Sequence, residues 1–83
     1  MFELYMLESC PYCRKVINYL QDNKIKFLIK DISDSKYRTE LIAFGGKEQV
    51  PYLYDSDTKT GLYESDDIIN FLKNKYMGNG DEQ

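Results

Sequence analysis

Residues 2–14 read Phe2-Glu3-Leu4-Tyr5-Met6-Leu7-Glu8-Ser9-Cys10-Pro11-Tyr12-Cys13-Arg14, and the hydrophobic period changes partway along them. Phe2 to Met6 alternates with period two and is rich in β-formers, which predicts a short strand ending before the cysteines. From Pro11 onward, Cys13, Val16, Ile17 and Leu20 fall at offsets 0, 3, 4 and 7, one face of a helix running to about Asn23. Proline sets the boundary. The residue before a proline is pushed out of the α region, while proline itself suits the first helical position, so Cys10 is expected as the N-cap.

Working outward, Ile25-Lys26-Phe27-Leu28-Ile29-Lys30 predicts a second strand, apolar enough to suggest a central place in the sheet. Ser33-Asp34-Ser35 offers N-caps for a helix carrying Tyr37, Leu41, Ile42 and Phe44, with Gly45-Gly46 as its stop. Val50 to Tyr54 is a third strand, Asp55 to Lys59 a turn, and Thr60 to Tyr63 a fourth strand completing a hairpin. Ser65 is expected to cap a last helix with Asp66 and Asp67 in its first turn, Ile68, Ile69 and Leu72 inward, Lys73 and Lys75 late, and Gly78 beyond its end. The order β-α-β-α-β-β-α is that of an α/β fold, with a mixed four-stranded sheet and three helices. One domain over residues 1–78 and a disordered tail over 79–83 are expected.

The net charge of −3 argues against nucleic acid as a partner, because phosphate binding needs a basic face. No run approaches the ~18 apolar residues of a membrane span, and the N-terminus lacks the basic and apolar regions of a signal peptide, so a cytoplasmic chain without membrane attachment is expected. Histidine is absent. That removes Cys-His nucleophilic catalysis and mixed Cys/His zinc sites.

Cys10 and Cys13 are the only cysteines. At an N-cap, the Cys10 sulfur faces the free amides of Tyr12 and Cys13 at the positive end of the helix, a setting that favours its anionic form. Arg14 and Lys15 add positive charge nearby. Cys13 opens the apolar stripe and should be less exposed. The two thiols are therefore unequal: Cys10 attacks a substrate disulfide, and Cys13 resolves the mixed disulfide by attacking the Cys10 sulfur. A purely structural disulfide closing so short a loop would remove little unfolded-state entropy. A zinc or iron–sulfur site needs four ligands, so these two cysteines could supply one only by bridging two chains. A C-x-x-C beside a βαβ pattern points instead to redox chemistry.

Cys10-Pro11-Tyr12-Cys13 after a short strand resembles the dithiol active-site motif of glutaredoxins. Val50-Pro51 resembles their Thr-Val-Pro segment, and Ser65-Asp66-Asp67 the Cys/Ser-Asp-Asp that opens their last helix. The resemblance runs over about residues 2–77. It implies a thioredoxin-like fold and a glutathione-dependent thiol–disulfide oxidoreductase, with glutathione as reductant, disulfide or glutathionylated proteins as substrates, and no metal. By position, it implies Cys10 as nucleophile and Cys13 as resolving thiol, with Tyr12 lining the glutathione groove. Pro51 would be cis, with the Val50 backbone pairing with the glutathione cysteinyl unit as an added strand. Ser65 and Asp66 would hold the γ-glutamyl end, although a plain N-cap with dipole-matched acids accounts for the same residues.

The chain departs from that pattern at three places. Leu7 stands where many glutaredoxins carry a lysine, Gln49 replaces the threonine of Thr-Val-Pro, and Glu64 replaces a glycine. Gln49-Val50-Pro51 and Glu64-Ser65 resemble the corresponding segments of glutathione-transferase N-terminal domains, which share the fold and also hold glutathione. Lys47, Arg38 and Gln49 are then candidates to meet the glycyl carboxylate. Two further readings stay open beside the glutaredoxin one: a redoxin recharged by a flavoprotein thioredoxin reductase, and a glutathione-ligated iron–sulfur cluster bridging two chains through Cys10. A monomer is expected for the redox readings.

Overall fold

In a computed structural model, which describes residues 1–76, the chain runs β1 (Phe2–Met6), α1 (Pro11–Asp22), β2 (Phe27–Asp31), α2 (Ser35–Gly45), β3 (Tyr52–Asp55), β4 (Thr60–Tyr63) and α3 (Ser65–Tyr76). The expected stop at Gly78 and the tail over 79–83 lie outside the described residues. The sheet order is β2-β1-β3-β4, with β1 and β2 parallel and the other neighbouring pairs antiparallel. This is the mixed sheet expected from the element order. No helix among the described residues is long and apolar enough to cross a membrane.

Side chains alternate along β1 and so feed two different layers. Phe2, Leu4 and Met6 join Cys13, Val16, Ile17 and Leu20 of α1, Leu53 of β3, and Ile68 and Leu72 of α3. Tyr5 points the other way and joins Ile32, Leu41 of α2 and Tyr52. Helices α1 and α3 thus cover one face and α2 the other. The first two helices are stopped locally: Asn23 ends α1, and Gly46, with φ of 89°, ends α2 in the left-handed region that suits glycine.

Three expectations need correction. β2 is an edge strand, not a central one, and it starts at Phe27 because Lys24 and Ile25 are used in closing α1, with the amide of Ile25 donating to the Leu20 carbonyl at 2.9 Å. Leu28 and Ile29 are accordingly 49% and 50% exposed, and Lys26 and Lys30 flank them as charges commonly do on sheet edges. β3 starts at Tyr52 rather than Val50, since the ladders to β1 and β4 begin at Tyr52; the Val50–Pro51 peptide before it is cis. The last helix is capped by Glu64, not Ser65: the amide of Ile68 donates to the Glu64 carbonyl at 2.9 Å, and Glu64 has φ of 72°. That left-handed backbone explains why the resembling pattern carries glycine there.

The β3–β4 hairpin is pinned to α3 by Asp55. One carboxylate oxygen accepts the Asp57 amide at 3.0 Å, and the other faces Lys75 Nζ at 3.5 Å. Burial works to raise the Asp55 pKa, but the Asp57 amide, Thr58 and Lys75 outweigh it and hold the group below the usual aspartate range.

Candidate functional site

Cys10 sits where strand gives way to helix, with extended backbone (φ −85°, ψ 115°) and Pro11 as the first helical residue. Its carbonyl accepts the first intrahelical bond, from the Arg14 amide at 3.1 Å, and its own amide donates to the Leu7 carbonyl at 3.1 Å. The Cys13 amide, orphaned at the helix start, donates to Cys10 Sγ at 3.2 Å. The expected cap is therefore present, and the cap side chain is a sulfur. Both cysteines are free thiols.

Cys13 is fully buried in the α1/α3 core. Burial pushes its thiol up to about 12, the hydrogen bond and charge of Cys10 add to that, and the Leu7 backbone works in the opposite direction. So one sulfur is partly open at a helix terminus and the other lies sealed behind it. Tyr12, between them, is 63% exposed.

Beside the thiols is a cleft of about 310 Å³ walled by Tyr12, Gln49, Val50, Pro51, Glu64, Ser65 and Asp66. These residues come from the start of α1, the loop before β3 and the start of α3, so three separate segments meet there; Tyr12, between the two cysteines, is the lining residue from the thiol motif, and neither cysteine lines the cleft itself. Every cleft residue singled out from the sequence lies in this wall, whereas Arg38 and Lys47 do not line it. The floor of the loop is set by Tyr63, whose hydroxyl donates to the Lys47 carbonyl at 2.8 Å and accepts the Lys47 amide at 3.3 Å. A Cβ at Gly45 would run into the same ring, so a side chain there would displace either the ring or the loop. Lys47 Nζ lies 4.8 Å above the Tyr63 ring centroid.

The cleft wall carries two acids, and each has one partner. Gln49 Nε2 donates to Glu64 at 3.0 Å, and Lys15 Nζ reaches across from α1 to Asp66 Oδ1 at 2.6 Å. The Lys15–Asp66 pairing had no reading in the sequence beyond nearby positive charge. Its partners are 51 positions apart, and nothing local joins them. A more open hollow of about 520 Å³ lies among Met1, Asn23, Lys24 and Asp57, at the opposite end of β1 from the thiols. Among the described residues no cluster of three or more metal-ligating side chains comes together.

Comparison with known proteins agrees with this arrangement. No curated protein matches the chain. Among solved structures, it is similar to a glutathione S-transferase from the Antarctic clam Laternula elliptica (33% identity, TM-score 0.76, 90% of this chain and 35% of the other). It is also similar to glutaredoxin 2 of Salmonella typhimurium, solved in complex with glutathione (25% identity, TM-score 0.75, 90% and 34%). Glutathione transferase Omega 3C from Trametes versicolor shares the fold (21% identity, TM-score 0.80, 90% and 33%). The chain spans about a third of the length of each. The family model for the glutathione S-transferase N-terminal domain matches residues 4–80, nearly the whole chain. With its thioredoxin-like sheet and a cleft formed beside an N-cap residue, the chain belongs to the glutathione S-transferase N-terminal domain family.

Proposed function

We propose that the chain is a glutathione-dependent thiol–disulfide oxidoreductase of the dithiol type. The observation that carries this reading is the asymmetry of the pair: a partly open Cys10 sulfur held at a helix N-terminus by the Cys13 amide at 3.2 Å, with a buried Cys13 thiol behind it. Family membership and the glutathione bound to the Salmonella protein support glutathione as the partner.

In the proposed reaction, the Cys10 thiolate attacks the glutathione sulfur of a glutathionylated protein. A Cys10–glutathione disulfide forms, the protein–glutathione S–S bond breaks, and the protein thiolate leaves with the electron pair. A second glutathione thiolate then attacks the glutathione sulfur, giving oxidised glutathione and free Cys10. In a protein disulfide, Cys10 forms the mixed disulfide and Cys13 attacks the Cys10 sulfur, releasing the reduced protein and leaving a Cys10–Cys13 disulfide for two glutathiones to reduce. Cys13 must lose its proton for that step. Burial is the main cause that suppresses ionisation of Cys13, and the smaller contribution from the charge of Cys10 ends once Cys10 is bonded.

Glutathione would lie along the cleft, its cysteinyl backbone against Val50 as an added strand, its γ-glutamyl end at Ser65 and Asp66, and Tyr12, Gln49, Pro51 and Glu64 forming the remaining wall. A second reading, transfer of glutathione to an electrophile, is favoured by the family match together with Gln49-Val50-Pro51 and Glu64-Ser65.

Steady-state assays separate the readings. Reduction of a glutathionylated peptide by glutathione and glutathione reductase is expected, with little turnover on an aryl halide; turnover driven only by thioredoxin reductase, or only conjugation, would sink the proposal. Cys10→Ser should abolish reduction, while Cys13→Ser should keep deglutathionylation and lose protein-disulfide reduction. A dead Cys13→Ser enzyme on glutathionylated peptide would reverse the assigned roles.

A further inference from the structure

Lys15 and Asp66 form an ion pair at 2.6 Å between α1 and α3, with side chains 53% and 79% exposed. An ion pair that exposed contributes little to stability. Its position is more informative than its strength, since Asp66 is part of the cleft wall.

Next to Asp66, Ser65 is 7% exposed, lines the same cleft, and its hydroxyl finds no hydrogen-bond partner among the described residues. The amides of Ser65, Asp66 and Asp67 precede the first intrahelical bond, from Ile68 to Glu64, and are free to donate. All of these groups suit a carboxylate. The side chains around them do not: Glu64, Asp66 and Asp67 place three acids within four residues at the same helix start, where their summed charge repels an anion. Gln49 is uncharged and leaves the charge of Glu64 in place. Lys15 is the cation paired here, and with it the rim changes from an acidic edge to an adjacent positive and negative charge.

We propose that Lys15 is a specificity-determining residue of the cleft, pairing with Asp66 to form a two-point site for an α-amino-acid head group. The ligand's ammonium goes to Asp66, and its α-carboxylate goes to Lys15, the Ser65 hydroxyl and the free amides. The inference deepens the glutathione reading and rests on it, because the γ-glutamyl end of glutathione carries such a head group. It also selects for ligand thiols that carry both charges over thiols that lack the α-carboxylate.

The test uses two peptide mixed disulfides, one with glutathione and one with γ-aminobutyryl-cysteinyl-glycine, which keeps the ammonium but has no α-carboxylate. Both are reduced by wild-type protein, Lys15→Met and Lys15→Arg, with circular dichroism and thermal midpoint confirming that the folds match. Lys15→Met is expected to raise KM for the glutathione disulfide about five- to tenfold, the scale of one lost charge-assisted hydrogen bond. It should leave kcat for the glutathione disulfide unchanged and should not raise KM for the γ-aminobutyryl disulfide, whose ammonium meets Asp66 without competition from Lys15. Lys15→Arg should restore most of the preference. A Lys15→Met shift that is equal for the two disulfides, or absent for both, overturns the proposal and leaves Lys15 as a surface link between helices. If wild-type protein reduces neither disulfide, the glutathione reading itself fails and this inference with it, an outcome distinct from an active wild type that is indifferent to Lys15.

Discussion

On one face of the sheet, Leu4, Cys13, Val16, Leu20, Leu53, Ile68 and Leu72 are fully buried against one another. On the other, the buried set is Tyr5, Ile32, Leu41 and Tyr52, surrounded by polar and aromatic contacts. There Lys30 bonds Glu3 at 2.9 Å and Glu40 at 3.0 Å, Tyr5 donates to Glu40 at 2.9 Å, and Lys30 lies 5.4 Å and 5.5 Å from the Tyr5 and Tyr37 ring centroids. Phe44 stacks on Tyr54 with centroids 4.4 Å apart. Helix α1, which carries both cysteines, is held by non-directional apolar burial, while α2 is held by directional bonds at few points. The thiols therefore rest on the firmer face, and the loop that closes the cleft follows from the less apolar one.

If that contrast is right, perturbing the two faces should have unequal effects. The largest loss is expected for Leu20→Ala, about 2–5 kcal/mol from urea unfolding, because a buried side chain leaves a cavity that the packed layer fills only in part. A loss under about 1 kcal/mol would mean that the α1/α3 face is looser than its burial indicates.

Lys30→Met should cost less, about 2 kcal/mol, because it strands two carboxylates that keep some access to water. Its signature lies in pH. Burial works to lower the Lys30 pKa, but the bonds to Glu3 and Glu40 outweigh it and raise the pKa above the usual lysine range. Glu40 is held below the usual glutamate range by Lys30, with Tyr5 helping and burial opposing. Glu40 thus adds stability above its unfolded pKa that is lost as pH falls through its lower folded pKa, and Lys30 adds stability below its unfolded pKa that is lost as pH rises through its higher folded one. Wild type should lose stability at both ends, and Lys30→Met should flatten both limbs; an unchanged acid limb would show that Glu40 is not coupled to Lys30. The smallest effect is expected for Phe44→Ala, about 0.5–1.5 kcal/mol, since its ring is partly exposed and its contribution is the stack on Tyr54.

The cysteine end of the molecule was legible because its causes are local. Pro11 restricts Cys10 and starts α1, the 3.6-residue period places Cys13 inward, and Gly45-Gly46 ends α2, all decided by neighbours along the chain. The wall residues Gln49, Val50, Pro51, Glu64, Ser65 and Asp66 were reached by resemblance rather than by period or spacing. β2 was misplaced because apolar density reports burial only on average, and the sheet order that leaves Leu28 and Ile29 at an edge depends on which strand β1 accepts on each side. The left-handed Glu64 was hidden by its side chain, which gives no sign of a positive φ.

By itself, then, the sequence determined the order of elements, the asymmetry of the two thiols and the ends of α1 and α2, since each follows from interactions within a few residues. Tertiary structure alone decided the strand order, the Lys30 network between β1, β2 and α2, and the Lys15–Asp66 pair across the cleft. Those contacts join groups 10 to 51 positions apart, and their partners are chosen by how the helices pack on the sheet, which no local rule encodes.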